Sequence, residues 1–251
     1  MITRRDMLKG AGAAAAATIL GGIPLTAAAN DNAVAYGGKR KILVVGAHPD
    51  DPETCAGGTM CLLKQAGNEV VSVYLTRGEA GIEGMSHDEA AAVRVEESEN
   101  ACRVMGIRHI FMNQVDGNTE VNVARYKEMR ELLEQERPDV VITHWPIDSH
   151  RDHAACGLLV LDAWRRVGRT FRLYYMEAMS GTQSQMFTPT HWVNIDPVVD
   201  LKHEACLCHV SQGMQPLLDD WHIPMEKFRG LECRCGAAEA FALHTEALKS
   251  L

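Results

Sequence analysis

From Lys41 onward the chain alternates short apolar runs with longer stretches whose apolar positions recur every three or four residues. Lys41-Ile42-Leu43-Val44-Val45-Gly46 shows no polar alternation, as expected of a strand buried on both faces. The pattern then predicts a helix from Thr54 to Ala66, ended by Gly67, and a second strand from Glu69 to Thr76. A glycine-rich loop, Arg77 to Ser86, leads into an amphipathic helix from about His87 to Met105, closed by Gly106. Ser86 and Glu89 have the spacing of a capping box at its start. His109 to Met112 reads as a third strand, Val123 to Glu136 as a third helix, and Asp139 to His144 as a fourth strand. After a loop around Pro146 to Arg151, a helix runs to about Arg166, and Arg172 to Met176 and His191 to Ile195 form further strands. The last forty residues carry a weaker pattern, in which Ala237 to Leu248 reads as a helix. Strands alternating with helices imply a parallel sheet covered on both sides. No repeat or linker interrupts the pattern, so residues 30–251 are expected to form a single α/β domain.

The first 29 residues follow a different logic. Arg4 and Arg5 precede a run rich in Ala and Gly, Gly10 to Leu25, which ends at Ala27-Ala28-Ala29 with small residues suited to cleavage. This resembles a twin-arginine export signal. The run is shorter than the ~20 residues of a spanning helix, which argues against a stable membrane anchor. The expectation is a chain handled by the twin-arginine export machinery, cleaved near Asn30, and periplasmic or extracellular thereafter.

Removing Arg4, Arg5, Lys9 and Asp6 takes the formal net charge from −8 to −10. An acidic chain of this kind has no means of displacing counterions from a polyanion, which excludes nucleic acid as a partner. A homo-oligomer is compatible with the sequence. The eight cysteines fit buried thiols of a chain that folds before export better than a disulfide framework. Cys206/Cys208 and Cys233/Cys235 have one intervening residue, which does not match the usual zinc-finger spacings.

Two predicted strands run into clusters of metal-ligand residues. The first is followed by His48-Pro49-Asp50-Asp51-Pro52-Glu53, the fourth by Asp148-Ser149-His150-Arg151-Asp152-His153. In an open parallel sheet, ligands bind beyond the carboxyl ends of the strands. A catalytic zinc takes three protein ligands, commonly His and carboxylate, and keeps a position open for water. A further carboxylate can serve as general base and a further His can stabilise the developing oxyanion. Each motif alone has an ordinary reading. His-Pro-Asp is a common turn, and Asp152 can simply favour a helix dipole. Their pairing after two buried strands favours a metal site.

Ala47-His48-Pro49-Asp50-Asp51-Pro52-Glu53, followed by Gly57-Gly58-Thr59, together with His150-Arg151-Asp152-His153, resembles the LmbE-like (PIG-L) family of zinc-dependent N-acetylglucosaminyl deacetylases. The similarity spans about Lys41 to Gln212. It includes Arg94-x-x-Glu97, Asp116-Gly117 and His209-x-Ser211-Gln212. The resemblance implies a Rossmann-like three-layer α/β fold, a mostly parallel sheet, and a metal site at the carboxyl ends of the strands. It implies one zinc ion per chain, with iron(II) as the alternative in the cell, held by His48, Asp51 and His153. It makes Asp50 the base, His150 the acid or electrostatic partner with Asp152 orienting it, and Arg94 and Asp116 contacts to the sugar. Arg151 stands where the family often has Pro. Asp148 stands where some members have a Tyr that helps hold the oxyanion.

The function expected is removal of an N-acyl group, acetyl above all, from a small or oligosaccharide amino sugar outside the cytoplasm. A non-catalytic zinc- or sugar-binding protein on the same fold is the alternative, although a pure binder has no need of Asp50 and His150. A dinucleotide oxidoreductase is a poor third, because the first strand is followed by His-Pro-Asp-Asp rather than a glycine-rich phosphate loop. Trp145 could stack on a sugar or belong to the core, and Arg77 to Gly81 could be a rim or only a turn.

Overall fold

In the computed structural model, residues 38–246 are described, together with a two-residue antiparallel pair, Ile19–Leu20 against Ile23–Pro24. The expected signal and cleavage site lie outside the described residues apart from that pair. The strands are β1 (Lys41–Gly46), β2 (Glu69–Tyr74), β3 (Arg108–Phe111), β4 (Val140–His144), β5 (Arg172–Met176), β6 (His191–Asn194) and β7 (Ala238–Leu243). They form one sheet in the order β3-β2-β1-β4-β5-β7-β6, with β7 antiparallel to both its neighbours and the rest parallel. The principal helices are α1 (Asp51–Gln65), α2 (His87–Met105), α3 (Val123–Glu136), α4 (Arg151–Arg166), α5 (Val199–Leu207) and α6 (Ile223–Cys233).

The unbroken apolar character of β1 follows from its place in the middle layer. Ile42 and Val44 pack with Met60, Leu63 and Met105 on the side of α1 and α2. Leu43 and Val45 pack with Met129, Leu133 and Leu159 on the side of α3 and α4. The α2 start carries the expected capping box, in which Ser86 accepts from the Glu89 amide and the Glu89 carboxylate accepts from the Ser86 amide. Strand order reverses between β1 and β4, so the loops after these two strands face one another across the crevice where such sheets bind ligands.

Two expectations need correction. The first helix begins at Asp51, three residues before Thr54, because Pro52 sits in its first turn, where a missing N–H costs nothing. The segment Ala238–Leu243 is a strand rather than part of a helix from Ala237 to Leu248; residues 247–251 lie outside the described part. Its Ala, Glu and Leu content favours a helix locally. Pairing with both β5 and β6 overrides that preference, and every residue from Ala238 to Ala242 is buried in the sheet.

Candidate active site

The loop from β1 to α1 is tight. A Cβ at Gly46 would lie 2.7 Å from both Asp51 Cβ and Pro52 Cδ, so only glycine lets the helix start close over the strand end. The His48 amide donates to Asp51 Oδ2 at 2.7 Å, and the Thr54 amide donates to the Asp50 carbonyl at 2.9 Å. Asp50 is held at φ 115°, an unfavourable conformation for a residue with a side chain. Arg94, buried in α2, holds it there: Nη2 donates to the Pro49 carbonyl and, at 3.0 Å, to Asp50 Oδ2.

The loop from β4 to α4 supplies the other half. His150 is the N-cap of α4, its Nδ1 facing the Asp152 amide at 3.3 Å. His153 follows in the first turn, with Nε2 3.3 Å from Asp51 Oδ1. The His150 ring centroid lies 4.7 Å from that of His48 and 4.6 Å from that of His153. His48, Asp50, Asp51, Arg94, Asp116, His150 and His153 all line one cavity of about 320 Å³.

Carboxylates stand behind two of these imidazoles. His48 Nε2 lies 3.2 Å from Asp116 Oδ1 and from Asp152 Oδ2, while its Nδ1 lies 3.4 Å from Asp51 Oδ2. His153 Nδ1 lies 3.4 Å from Asp148 Oδ1. Metal-binding histidines are oriented in this way, with one nitrogen held by a carboxylate and the other turned, here, towards the shared carboxylate of Asp51. Burial opposes the charged form of both rings, yet the surrounding carboxylates outweigh it. They hold His48 well above its ordinary pKa and bring His153 to about 9. So much stacked negative charge facing two imidazoles is the electrostatics of a cation site. The side-chain donors fall into three overlapping sets within metal-binding reach: His48 with Asp116 and Asp152, and two further sets, His48 with His150 and His153, and Asp51 with His144 and His153. The expected trio His48, Asp51 and His153 draws on the last two sets, and no metal-binding set among the described residues includes a cysteine.

Asp152 meets His150 through its backbone amide, while its carboxylate is turned to His48. Its carboxylate accepts from the Gly117 amide at 2.7 Å and from Thr119 Oγ1 at 2.6 Å and faces His48, because the loop after β3 reaches over to the start of α4. Asp116 likewise faces His48 and accepts from the Ala80 amide. That contact and the Asp116 amide's bond to Glu79 tie the glycine-rich loop into the cavity wall. The remaining motif residues brace the site: Glu97 accepts from the Ser211 amide and hydroxyl, Gln212 donates to the Gly81 carbonyl, and the buried His209 faces Glu53 at 3.5 Å. Trp145 packs edge-on to Tyr175 and Phe187 and is not part of the cavity lining.

Sequence reasoning gave no role to His144 or Asp148. His144, the last residue of β4, stacks on His153 at 4.0 Å with Nε2 3.1 Å from Asp51 Oδ2, and burial pushes its pKa down to about 4. A polar residue ending a buried strand beside the site was the available signal.

The fold and the site together define a metal-dependent amidohydrolase with its centre at the carboxyl edge of a Rossmann-like sheet. Residues 43–164 match the family described as GlcNAc-PI de-N-acetylase, and the chain belongs to this PIG-L family. It is 30% identical over 198 residues to the diacetylchitobiose deacetylase of Thermococcus kodakarensis, covering 72% of this chain and 73% of the relative. The N,N'-diacetylchitobiose deacetylase of Pyrococcus horikoshii superposes with a TM-score of 0.73 at 25% identity, over 82% of this chain and 84% of that one. A 4-carboxy-2-hydroxymuconate hydratase from Pseudomonas putida shares the fold with a TM-score of 0.72 at 20% identity, over 84% of this chain and 99% of that one. Residues 1–21 match the twin-arginine translocation signal, which marks the chain for export. No described helix is long and apolar enough to cross a membrane.

Proposed function

We propose that the chain is a zinc-dependent hydrolase that removes an N-acyl group, acetyl above all, from an amino sugar or sugar conjugate outside the cytoplasm. In this reading the exported protein is one domain beginning near Asn30, with one ion per chain. The observation that carries it is the meeting of His48, Asp50, Asp51, His150 and His153 around one cavity, two of the histidines backed by carboxylates. Deacetylation of an amino sugar accords with the diacetylchitobiose deacetylases that this chain resembles.

His48, Asp51 and His153 fit a zinc ion in donor type, and the ion when bound supplies Lewis-acid polarisation of the amide and its attacking water. Asp50 takes the proton from that water. Its burial raises its pKa, which makes it a better base, while Arg94 restrains the rise and fixes its direction. His150 lies beside His48 and His153, where it meets the developing oxyanion and the departing nitrogen. Asp116 and Asp152 hold His48, and Asp148 holds His153. Asp116 also lines the cavity, where sugar hydroxyls can reach it, while Arg94 borders the cavity from behind Asp50.

The test is metal content and amine release for wild type beside Asp50→Ala. The substrates are N-acetylglucosamine, its short oligomers and simple N-acetyl glycosides. About one zinc per chain in both proteins, with amine released by wild type alone, is the expected result. Zinc in both with no release from any substrate would favour another acyl group or the binding role, and no zinc in either would overturn the proposal.

A further inference from the structure

No cysteine belongs to the metal-binding sets of the described residues, yet one pair of thiols is brought together at the end of α6. Cys233 and Cys235, both partly exposed, have their sulfurs 3.1 Å apart. The backbone makes this contact without help from the sulfurs. Arg234, between them, is in the left-handed region at φ 64°, and the Cys235 amide donates to the Gly230 carbonyl at 2.9 Å. A Cβ at Gly230 would fall 2.8 Å from the Cys235 carbonyl and 2.7 Å from that of Gly236, so glycine lets the turn close against the helix. From the far side Asp196 accepts from the amides of Gly236 and Ala237 at 3.1 and 2.7 Å. The turn leads into β7, where Glu239 accepts from the amides of Gly58 and Thr59 in α1.

Five of the other thiols, Cys55, Cys61, Cys102, Cys156 and Cys206, are buried, and Cys208 is partly exposed with its sulfur on the Glu204 carbonyl. A twin-arginine signal implies folding in a reducing compartment before export.

We propose that Cys233 and Cys235 are a disulfide-forming pair that closes when the chain reaches an oxidising compartment. The oxidant is a donor disulfide, either of a thiol oxidoreductase or of a small molecule such as oxidised glutathione. The Cys233 sulfur attacks the donor, forming a mixed disulfide and releasing one donor thiol. The Cys235 sulfur then displaces the second donor thiol, so the two cysteine protons leave on the two donor thiols and the donor is reduced. The product closes a short covalent ring across Arg234, in the turn between α6 and β7.

Arg234 provides the test, because trypsin cleaves after Arg229, Arg234 and Lys249 and so puts the two cysteines on separate peptides. The exported protein is alkylated under denaturing conditions and digested without reductant, beside the same chain without its signal, kept in a reducing cytoplasm. The exported chain is expected to take six alkyl groups rather than eight, with peptides 230–234 and 235–249 joined until reductant separates them. The retained chain takes all eight, and Cys233→Ser and Cys235→Ser each abolish the joined species. Eight alkyl groups on the exported protein, a joined pair involving other cysteines, or a stable mixed disulfide on one sulfur alone would each overturn the proposal.

Discussion

Asp148 Oδ1 lies 3.4 Å from Nδ1 of His153, the nitrogen turned away from Asp51. The carboxylate is itself fixed, accepting from the His150 amide at 2.8 Å and from Ser184 Oγ at 3.0 Å. Ring orientation and tautomer at His153 therefore depend on a residue that touches no substrate. Carboxylates in this position typically account for about 10–100-fold in metal affinity. Asp148→Asn should weaken zinc binding by about that factor, measured by competition with a chromogenic chelator. Unchanged affinity would mean that Asp148 serves only the loop.

The buried Arg94 and the half-buried Asp50 form an ion pair around a strained backbone. Arg94→Met removes the cation and leaves the carboxylate uncompensated; a fully buried pair would lose about 3–5 kcal/mol, and the partial exposure of Asp50 to the cavity makes the loss here smaller. The denaturant midpoint should fall accordingly in urea unfolding. Amine release should fall even in protein that remains folded, because Asp50 loses the partner that directs it. A variant as stable as wild type would show that the Pro49-Asp50 turn stands without Arg94.

Much of this arrangement is legible in the sequence where chemistry and pattern coincide. The helix from His87 to Met105 is bounded by Ser86, Glu89 and Gly106, each of which acts locally, and the structure repeats those bounds. His48, Asp51, His150 and His153 stand out because two ligand-rich loops follow two buried strands. Asp152 is different. Its neighbour in sequence is His150, but its partner in space is His48, and only the arrival of Gly117 and Thr119 from another loop decides this. The strand Ala238–Leu243 was hidden for a similar reason. Its pairing partners lie at Arg172–Met176 and His191–Asn194, and no local feature of Ala-Glu-Ala-Phe-Ala-Leu announces them. The fold alone does not name the chemistry either, since a hydratase shares it.

Gly58 makes a prediction about packing rather than chemistry. A Cβ there would meet Ile195 Cγ2 at 2.6 Å and Ile195 Cβ at 2.7 Å, neither at the end of a flexible chain. Alanine normally improves a helix interior, but this overlap should dominate. Gly58→Ala is expected to destabilise by about 1–3 kcal/mol. The reading is a lowered thermal midpoint with zinc content unchanged. A raised midpoint would mean that β6 and the turn after it yield more easily than their burial implies.

The last prediction concerns acid stability and a charge network behind α1. Lys202, almost fully buried, lies 2.8 Å from both Glu226 Oε1 and Glu239 Oε1, and Glu226 Oε2 lies 2.9 Å from His203 Nε2. Burial alone would raise the pKa of Glu226, but Lys202 and then His203 outweigh it and bring it down to about 2 from an ordinary 4.5. Because the folded value is the lower one, the unfolded chain binds the proton more readily. The stabilisation is therefore present above pH 4.5 and is lost as the pH falls through about 2, amounting to on the order of 3 kcal/mol. Glu226→Gln should remove this contribution, making the variant less stable at neutral pH and its unfolding free energy less steep in pH across that window. Chemical denaturation of both proteins at several values between pH 5 and pH 2, on the order of the two limits, measures the slopes directly. Parallel slopes would show that Lys202 gains its compensation from Glu239 alone.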